Sequence, residues 1–193
     1  MIVLKNKSLC FVCIPKNGTH TIYEHLEHYR GRRIGKYHEY NEKMIPRKLF
    51  IKRFYTVMVW RSPVDRAISL YSDIVLREKQ NKRKVKNDSS IKIHEYISKN
   101  CPEFSVFVDF LCNEDSKVSE YLFKNQHWWY KRINPDLIID IKDVNKYLEN
   151  ITGHAPLIKH TSKNLVKDIE IEDDDISKIE KIWAPHDHSF KPS

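Results

Sequence analysis

The chain has 193 residues, and its 34 Lys and Arg against 26 Asp and Glu leave a formal net charge of +8. Its 40% apolar content is enough for a packed core, which excludes a wholly disordered chain, and no apolar run approaches the ~18 residues of a membrane span. The positive charge favours an anionic ligand without choosing among nucleic acid, anionic lipid, acidic glycan and phosphorylated cofactor.

Segments with strand character alternate with segments of helical periodicity. The predicted elements, in chain order, are a strand over 8–14, a helix over 20–29, a strand over 55–60, a helix from Pro63 to about Gln80, a basic surface loop over 81–90, two or three helices within 91–130, a strand over 137–141, a helix from Asp143 to about Ile151, a short strand over 157–159 and a helix over 172–183. This alternation predicts one α/β domain over residues 1–193, with helices flanking a mostly parallel central sheet.

The N-terminal segment and the cysteines indicate in which cellular compartment the protein is expected. Met1 to Ile14 reads as a first strand and not as a secretion signal, because it lacks a small-residue cleavage site. Cys10 and Cys13 lie in this strand at a spacing that directs their thiols to opposite faces, and Cys101 and Cys112 supply no second close pair. We therefore expect four free, buried thiols, no metal site and a cytoplasmic protein.

The turn after the first strand has the features of an anion-binding loop. It reads PKNGTHT and contains Lys16, Asn17, Gly18, Thr19, His20 and Thr21. Backbone N–H groups at a helix start attract an anion; Gly18 lets the chain wrap around it, Lys16 adds a charge, and the hydroxyls of Thr19 and Thr21 add donors. The lysine precedes the glycine, so this is not the GxxxxGK[ST] loop of nucleotide hydrolases, and an ordinary strand–helix junction is the alternative.

A second candidate anion site follows the strand over 55–60, in the segment RSPVDRAISLY. Arg61 stands at the carboxyl end of that strand, where open α/β sheets bind ligands, and Ser69 lies two turns into the next helix. An arginine there can grip a phosphate bidentately, with the serine hydroxyl completing the site. The alternative is a structural ion pair of Arg61 with Asp65 or Asp73.

Together, PKNGTHT and RSPVDRAISLY resemble the motifs of sulfotransferases that use 3′-phosphoadenosine 5′-phosphosulfate (PAPS). The resemblance implies a P-loop-like sulfotransferase fold, PAPS as sulfuryl donor, a 5′-phosphosulfate loop and a 3′-phosphate site. By this resemblance the loop residues are Lys16, Asn17, Gly18, Thr19, His20 and Thr21, and the 3′-phosphate residues are Arg61 and Ser69. The chain is most similar to the carbohydrate branch, especially the 2-O-sulfotransferases of uronic acids in heparan or dermatan sulfate, although it is shorter and His20 replaces the commoner small hydroxyl residue.

The transfer reaction calls for a residue that takes the proton of the acceptor hydroxyl. His38, in the segment YHEY, resembles the histidine that serves as base in 2-O-sulfotransferases. The alternatives are that Glu39 or Glu42 is the base and that His38 is an exposed loop histidine without a catalytic role. Lys16 is expected to stabilise the bridging oxygen of the leaving phosphate.

Several weaker signals accompany these motifs. A segment similar to the loop that closes over the nucleotide in this branch contributes Lys159, Thr161 and Ser162. His127 precedes three aromatic residues that could form either a wall for a sugar or adenine ring or part of the core. His186 and His188 have the spacing of a metal pair but lack a third ligand.

The expected acceptor is an acidic glycan or another small hydroxyl-bearing molecule. Solvated loops are the default interpretation of two basic clusters, which could also recruit a polyanion: Arg77, Lys79, Lys82, Arg83, Lys84 and Lys86, and Arg30, Arg32, Arg33 and Lys36. The alternatives to an enzyme of this kind are a basic nucleic-acid-binding module, although no recognition motif is present, and a small kinase or nucleotide hydrolase in which Asp140 would hold magnesium.

Overall fold

The computed structural model describes residues 1–34, 52–76, 88–113, 123–156 and 169–183. These contain five strands, β1 (Ile2–Leu4), β2 (Leu9–Phe11), β3 (Arg32–Arg33), β4 (Tyr55–Trp60) and β5 (Leu137–Asp140). The described α-helices are α1 (Thr19–His28), α2 (Pro63–Tyr71), α3 (Asp88–Asn100), α4 (Phe104–Asn113), α5 (Gln126–Ile133), α6 (Val144–Thr152) and α7 (Asp173–Trp183). The predicted α/β class is confirmed.

The described residues form two compact units, which divide after Arg61. The first contains the whole sheet with α1, α5 and α6, and the second contains α2, α3, α4 and α7. The single domain predicted over residues 1–193 stays a prediction.

The sheet has the strand order β3-β1-β2-β4-β5 and is mixed. Strand β4 pairs in parallel with β2 on one side and β5 on the other, as the alternation of strands and helices predicts. Strand β1 pairs antiparallel with β2 and β3, so the sheet is less parallel than expected. The cause is local: a 3-10 turn at Lys5–Lys7, closed by Ser8 with a left-handed φ of 48°, folds the N-terminal segment into a hairpin.

The core of the first unit lies between one face of the sheet and helices α1 and α6. Phe11 and Val57 face this core, where Ile22 of α1 and Leu148 of α6 are fully buried. Both helices are therefore amphipathic and cover one face of the sheet with their apolar side chains, as helices in α/β proteins do. Helix α1 stops where Gly31 N–H bonds to the Leu26 carbonyl at 2.7 Å, so closely that a Cβ at residue 31 would meet this oxygen at 2.6 Å.

The second unit is helical and has its own apolar core. Leu70, Ile97, Phe107 and Ile179 come from four different helices and are fully buried there. The guanidinium of the fully buried Arg66 lies 4.6 Å from the ring centre of Trp183, a cation–π arrangement inside this core.

Two predicted segments differ from the structure, and one predicted strand is not tested by it. Helix α2 ends at Tyr71 and continues as a π-helical turn over Ser72–Leu76, beyond which residues 77–87 lie outside the described part. Residues 88–90, predicted as loop, begin α3, because Asp and Ser favour helix starts as well as loops. The strand predicted over 157–159 lies outside the described residues.

The remaining predicted elements hold to within a few residues, and helix α7 carries Asp173, Asp174 and Asp175 in its first turn, as expected from the helix dipole. Within the described ranges, the helices are too short or too polar to cross a bilayer.

Candidate functional site

The loop between β2 and α1 has a tightly curved backbone. Lys16 and Gly18 both adopt left-handed conformations, with φ of 70° and 74°, and Asn17 N–H bonds to the Ile14 carbonyl at 3.2 Å. The first helical hydrogen bond runs from Ile22 N–H to the Gly18 carbonyl at 3.1 Å. An α-helix leaves the N–H groups of its first turn without a carbonyl acceptor four residues earlier in the helix, so the helix start beside this curved loop is electropositive.

The side chains of Asn17 and Thr19 stabilise this loop from within. Asn17 is fully buried and donates from Nδ2 to the Val59 carbonyl at 2.6 Å, while the Thr19 hydroxyl donates to the Ile14 carbonyl at 3.0 Å. The Thr19 hydroxyl proton is thus engaged inside the protein, and what both residues present to an anion is their backbone. Thr21 is half-buried and His20 is exposed, both in the first turn of α1.

Arg61 joins the two predicted anion sites at the end of β4. Its guanidinium donates from Nη1 to the Lys16 carbonyl at 2.9 Å, so the arginine side chain reaches the loop 45 residues before it. Both Lys16 and Arg61 are half-buried. Arg61 and the loop that carries Lys16 therefore lie together at the carboxyl ends of the parallel strands β2 and β4, where open α/β sheets bind ligands.

Gln126, the first residue of α5, connects these parts and was not selected from the sequence. It is 1% exposed, its Oε1 accepts from Asn17 Nδ2 and from Arg61 N–H at 3.1 Å, and its Nε2 donates to the Arg61 carbonyl at 2.6 Å. A glutamine at a helix start carries no sequence signal for such a role. The segment containing it, QHWWY, drew notice only for its histidine and aromatic rings.

Comparison with known proteins identifies the family of the chain. The chain matches the model described as Sulfotransferase family over residues 1–182, a span that includes both motifs. The chain belongs to the sulfotransferase family. No significant match was found among curated proteins or among solved structures.

Membership in this family supports the enzyme hypothesis over the two alternatives, the nucleic-acid-binding module and the small kinase or nucleotide hydrolase. In this sulfotransferase Asp140 ends β5, and its Oδ1 accepts the Lys142 N–H at 2.8 Å in the turn that follows. Among the described residues, no group of three or more His, Cys, Asp or Glu is arranged to hold a metal ion.

The roles of all the predicted site residues stay predictions, and several of these residues lie away from the loop or outside the described part of the chain. Ser69 is half-buried on α2 in the second unit of the sulfotransferase. The candidate base His38 and its alternatives Glu39 and Glu42 lie outside the described residues. So do the residues predicted to close over the nucleotide, Lys159, Thr161 and Ser162, and the histidine pair, His186 and His188.

Two of the three aromatic residues after His127 belong to the core, and a wall for a sugar or adenine ring stays a prediction. Trp129 and Tyr130 are buried at 1% and 5% exposure, so they belong to the core, and the Tyr130 hydroxyl donates to the Val59 carbonyl at 3.2 Å. Trp128 is half-buried and lies 4.2 Å from the Arg132 guanidinium. His127 is half-buried, and its Nδ1 has no hydrogen-bond partner among the described residues.

The cysteines are free thiols, as predicted. Cys13 packs into the core against α1 and α6, whereas Cys10 lies outside that cluster, as expected for opposite faces of a strand. Burial raises the pKa of Cys10 to about 12 and that of Cys13 to about 11, so both stay protonated at neutral pH. Cys101 is also buried, while Cys112 is only half-buried, which is less than expected.

Proposed function

We propose that this protein transfers the sulfuryl group of PAPS to a hydroxyl group of a carbohydrate acceptor. The observation that carries the proposal is the meeting of Lys16 and Arg61 around a left-handed loop at the start of α1, in a chain of the sulfotransferase family. PAPS has two phosphate positions, and the chain offers two cations from two motifs for them.

The described residues fit such a donor. The curved backbone at Lys16 and Gly18, with the positive end of the α1 dipole, suits the 5′-phosphosulfate, and Asn17, Thr19, His20 and Thr21 complete this loop. Arg61, with Ser69 as the resemblance implies, would hold the 3′-phosphate. Lys159, Thr161 and Ser162 would close over the nucleotide by the same resemblance.

In the proposed reaction, sulfur bonds to the acceptor oxygen while its bond to the bridging oxygen of the donor breaks. The negative charge left on that oxygen is stabilised by the ammonium of Lys16. The proton of the acceptor hydroxyl goes to His38, or to Glu39 or Glu42 if a carboxylate serves as base. Positioning and charge neutralisation, rather than covalent catalysis, would supply the rate enhancement.

The acceptor class is supported by sequence resemblance to the carbohydrate branch and by the net charge of +8, which suits an acidic glycan. A screen with labelled PAPS over uronic-acid polysaccharides, neutral glycans and small phenols tests it. Sulfation of a polysaccharide is the expected result, and labelling of phenols alone would move the acceptor to another class.

Donor binding has a separate test with 3′-phosphoadenosine 5′-phosphate (PAP). PAP should raise the melting temperature of the wild-type protein, and Arg61→Ala should abolish this shift. No shift at millimolar PAP would refute PAPS as donor. His38→Ala should keep the PAP shift and lose transfer, whereas retained turnover would assign the base to another residue.

A further inference from the structure

Strand β4 extends beyond its partner β2, and this leaves backbone groups of β4 without a strand neighbour. The β2–β4 ladder runs from Tyr55 N–H bonded to the Ser8 carbonyl at 2.8 Å to Val12 N–H bonded to the Val57 carbonyl at 2.9 Å. Past Val12 the chain turns into the loop between β2 and α1, which is the candidate phosphate loop. In a parallel strand every second residue faces the same neighbour, so Val59 and Arg61 are the next residues on the open side of β4.

Beyond the end of β2, side chains form the hydrogen bonds to the backbone of β4. The Val59 carbonyl accepts from Asn17 and Tyr130, and Gln126 forms both hydrogen bonds with Arg61, accepting its N–H and donating to its carbonyl. The amide group of Gln126 thus replaces the peptide group that a neighbouring strand would supply. Its third bond, from Asn17 Nδ2 to its Oε1, ties the phosphate loop to the same amide.

This Gln126 bridge connects the backbone positions of Lys16 and Arg61, the two residues that carry the positive charges of the candidate site. The Gln126 amide holds the backbone of Arg61, and the Arg61 side chain in turn donates to the Lys16 carbonyl at 2.9 Å. Loop, strand end and helix α5 are therefore connected through one buried side chain. Because Gln126 is 1% exposed and its amide forms hydrogen bonds with both Asn17 and Arg61, the bridge limits the movement of Arg61 relative to the loop that carries Lys16.

We propose that Gln126 is a positioning residue of the donor site, which maintains the arrangement of Lys16 and Arg61 that binds PAPS. This inference rests on the proposed function, because it assigns those two residues to the donor. Gln126 itself acts through Arg61 and Asn17 and need not touch the nucleotide.

The test uses the full chain with Gln126→Met, which keeps the side-chain length and removes all three hydrogen bonds. Because Arg61 and the loop then lose their common anchor, we expect the Kd for PAP and the KM for PAPS to rise about tenfold or more. Hydrogen exchange of the Arg61 amide, measured without ligand, should become faster.

A matched control is Asp136→Ala. The Asp136 carboxylate bonds to the Thr56 N–H and hydroxyl, the hydroxyl at 2.7 Å, at the opposite end of β4, so this variant also removes a side-chain bond to the backbone of the strand. Its PAP affinity should stay within about twofold of wild type. Equal loss of PAP affinity in both variants would show general destabilisation and overturn the inference.

Gln126→Glu provides a second readout if Gln126→Met does not fold. The new carboxylate loses the donor to the Arg61 carbonyl, but the protonated carboxyl group regains it, and burial raises a carboxyl pKa. PAP affinity relative to wild type should therefore be low at pH 8 and recover as the pH falls to 5.5.

The outcomes separate the two proposals. If the wild-type chain does not bind PAP, the proposed function fails. If the wild-type chain binds PAP, Arg61→Ala loses binding and the Gln126 variants bind PAP as tightly as wild type at every pH, the positioning role alone is refuted.

Discussion

Gly18 and Gly153 offer a paired test of the backbone geometry at the candidate site. Both have left-handed conformations, with φ of 74° and 79°, but Gly18 immediately precedes α1 in the candidate phosphate loop and Gly153 follows α6. A Cβ at Gly18 would lie 3.7 Å from Ile141 Cδ1, an ordinary contact, and a Cβ at Gly153 would meet nothing within 4 Å. In both variants to alanine, strain should therefore come from φ and not from collision.

The expected cost is similar at both positions. A left-handed conformation costs a residue with a Cβ ~1–2 kcal/mol, and the reduced freedom of the unfolded chain returns about 0.4–1 kcal/mol. Gly18→Ala and Gly153→Ala should each lose about 1 kcal/mol of unfolding free energy, which lowers Tm by about 2–4 °C in a chain of this size. Only Gly18→Ala should also weaken PAP binding, because only there does the strained backbone face the anion.

Calorimetry measures both melting temperatures, and titration with PAP measures affinity. Gly18→Asn should lose less stability than Gly18→Ala, since asparagine tolerates left-handed backbone better. If Gly18→Ala proves far less stable than Gly153→Ala, the space beside Ile141 is not open. If neither variant loses stability, the assignment of strain to φ is wrong.

Three further predictions concern stability and reactivity. Hydrogen bonds from Thr56 lower the pKa of Asp136, so the ionised carboxylate stabilises the fold above its unfolded pKa of about 4, and this contribution is lost as the pH falls through the lower folded pKa. Asp136→Asn should therefore reduce the fall of the urea midpoint at acidic pH, and an unchanged fall would contradict this. Cys10 and Cys13, with pKa values of about 12 and 11, should resist a thiol reagent at pH 8 until denaturant is added, and their rapid labelling in the folded protein would show that they are accessible. Trp183→Ala, at a site 5% exposed, should lower the unfolding free energy by about 3–5 kcal/mol in urea titration, with Trp183→Phe as the milder control; a loss below that of Trp183→Phe would show that the indole does not carry the packing.

Much of the local structure could be predicted because its signals are local. The run YTVMVW predicts β4 with its observed bounds, and Ser62 caps α2 by accepting the Asp65 N–H at 3.1 Å, with Pro63 at the first helical position. The hairpin of β1 and β2 was missed since the charged turn that reverses the chain interrupts one apolar run without a glycine or proline to mark it.

The sequence by itself determined which residues are proposed for the anion site: a lysine and a glycine between a buried strand and a helix, and an arginine where the next buried strand ends. These signals are spacings within short segments, and each depends on the backbone geometry of one strand–helix junction. Tertiary structure alone decided that Arg61 reaches the Lys16 carbonyl and that Gln126, 109 residues from Asn17 and 65 from Arg61, bonds to both. The physical reason is that a buried amide takes whichever polar groups the fold leaves unpaired, and these are known only once β2 stops before β4 does.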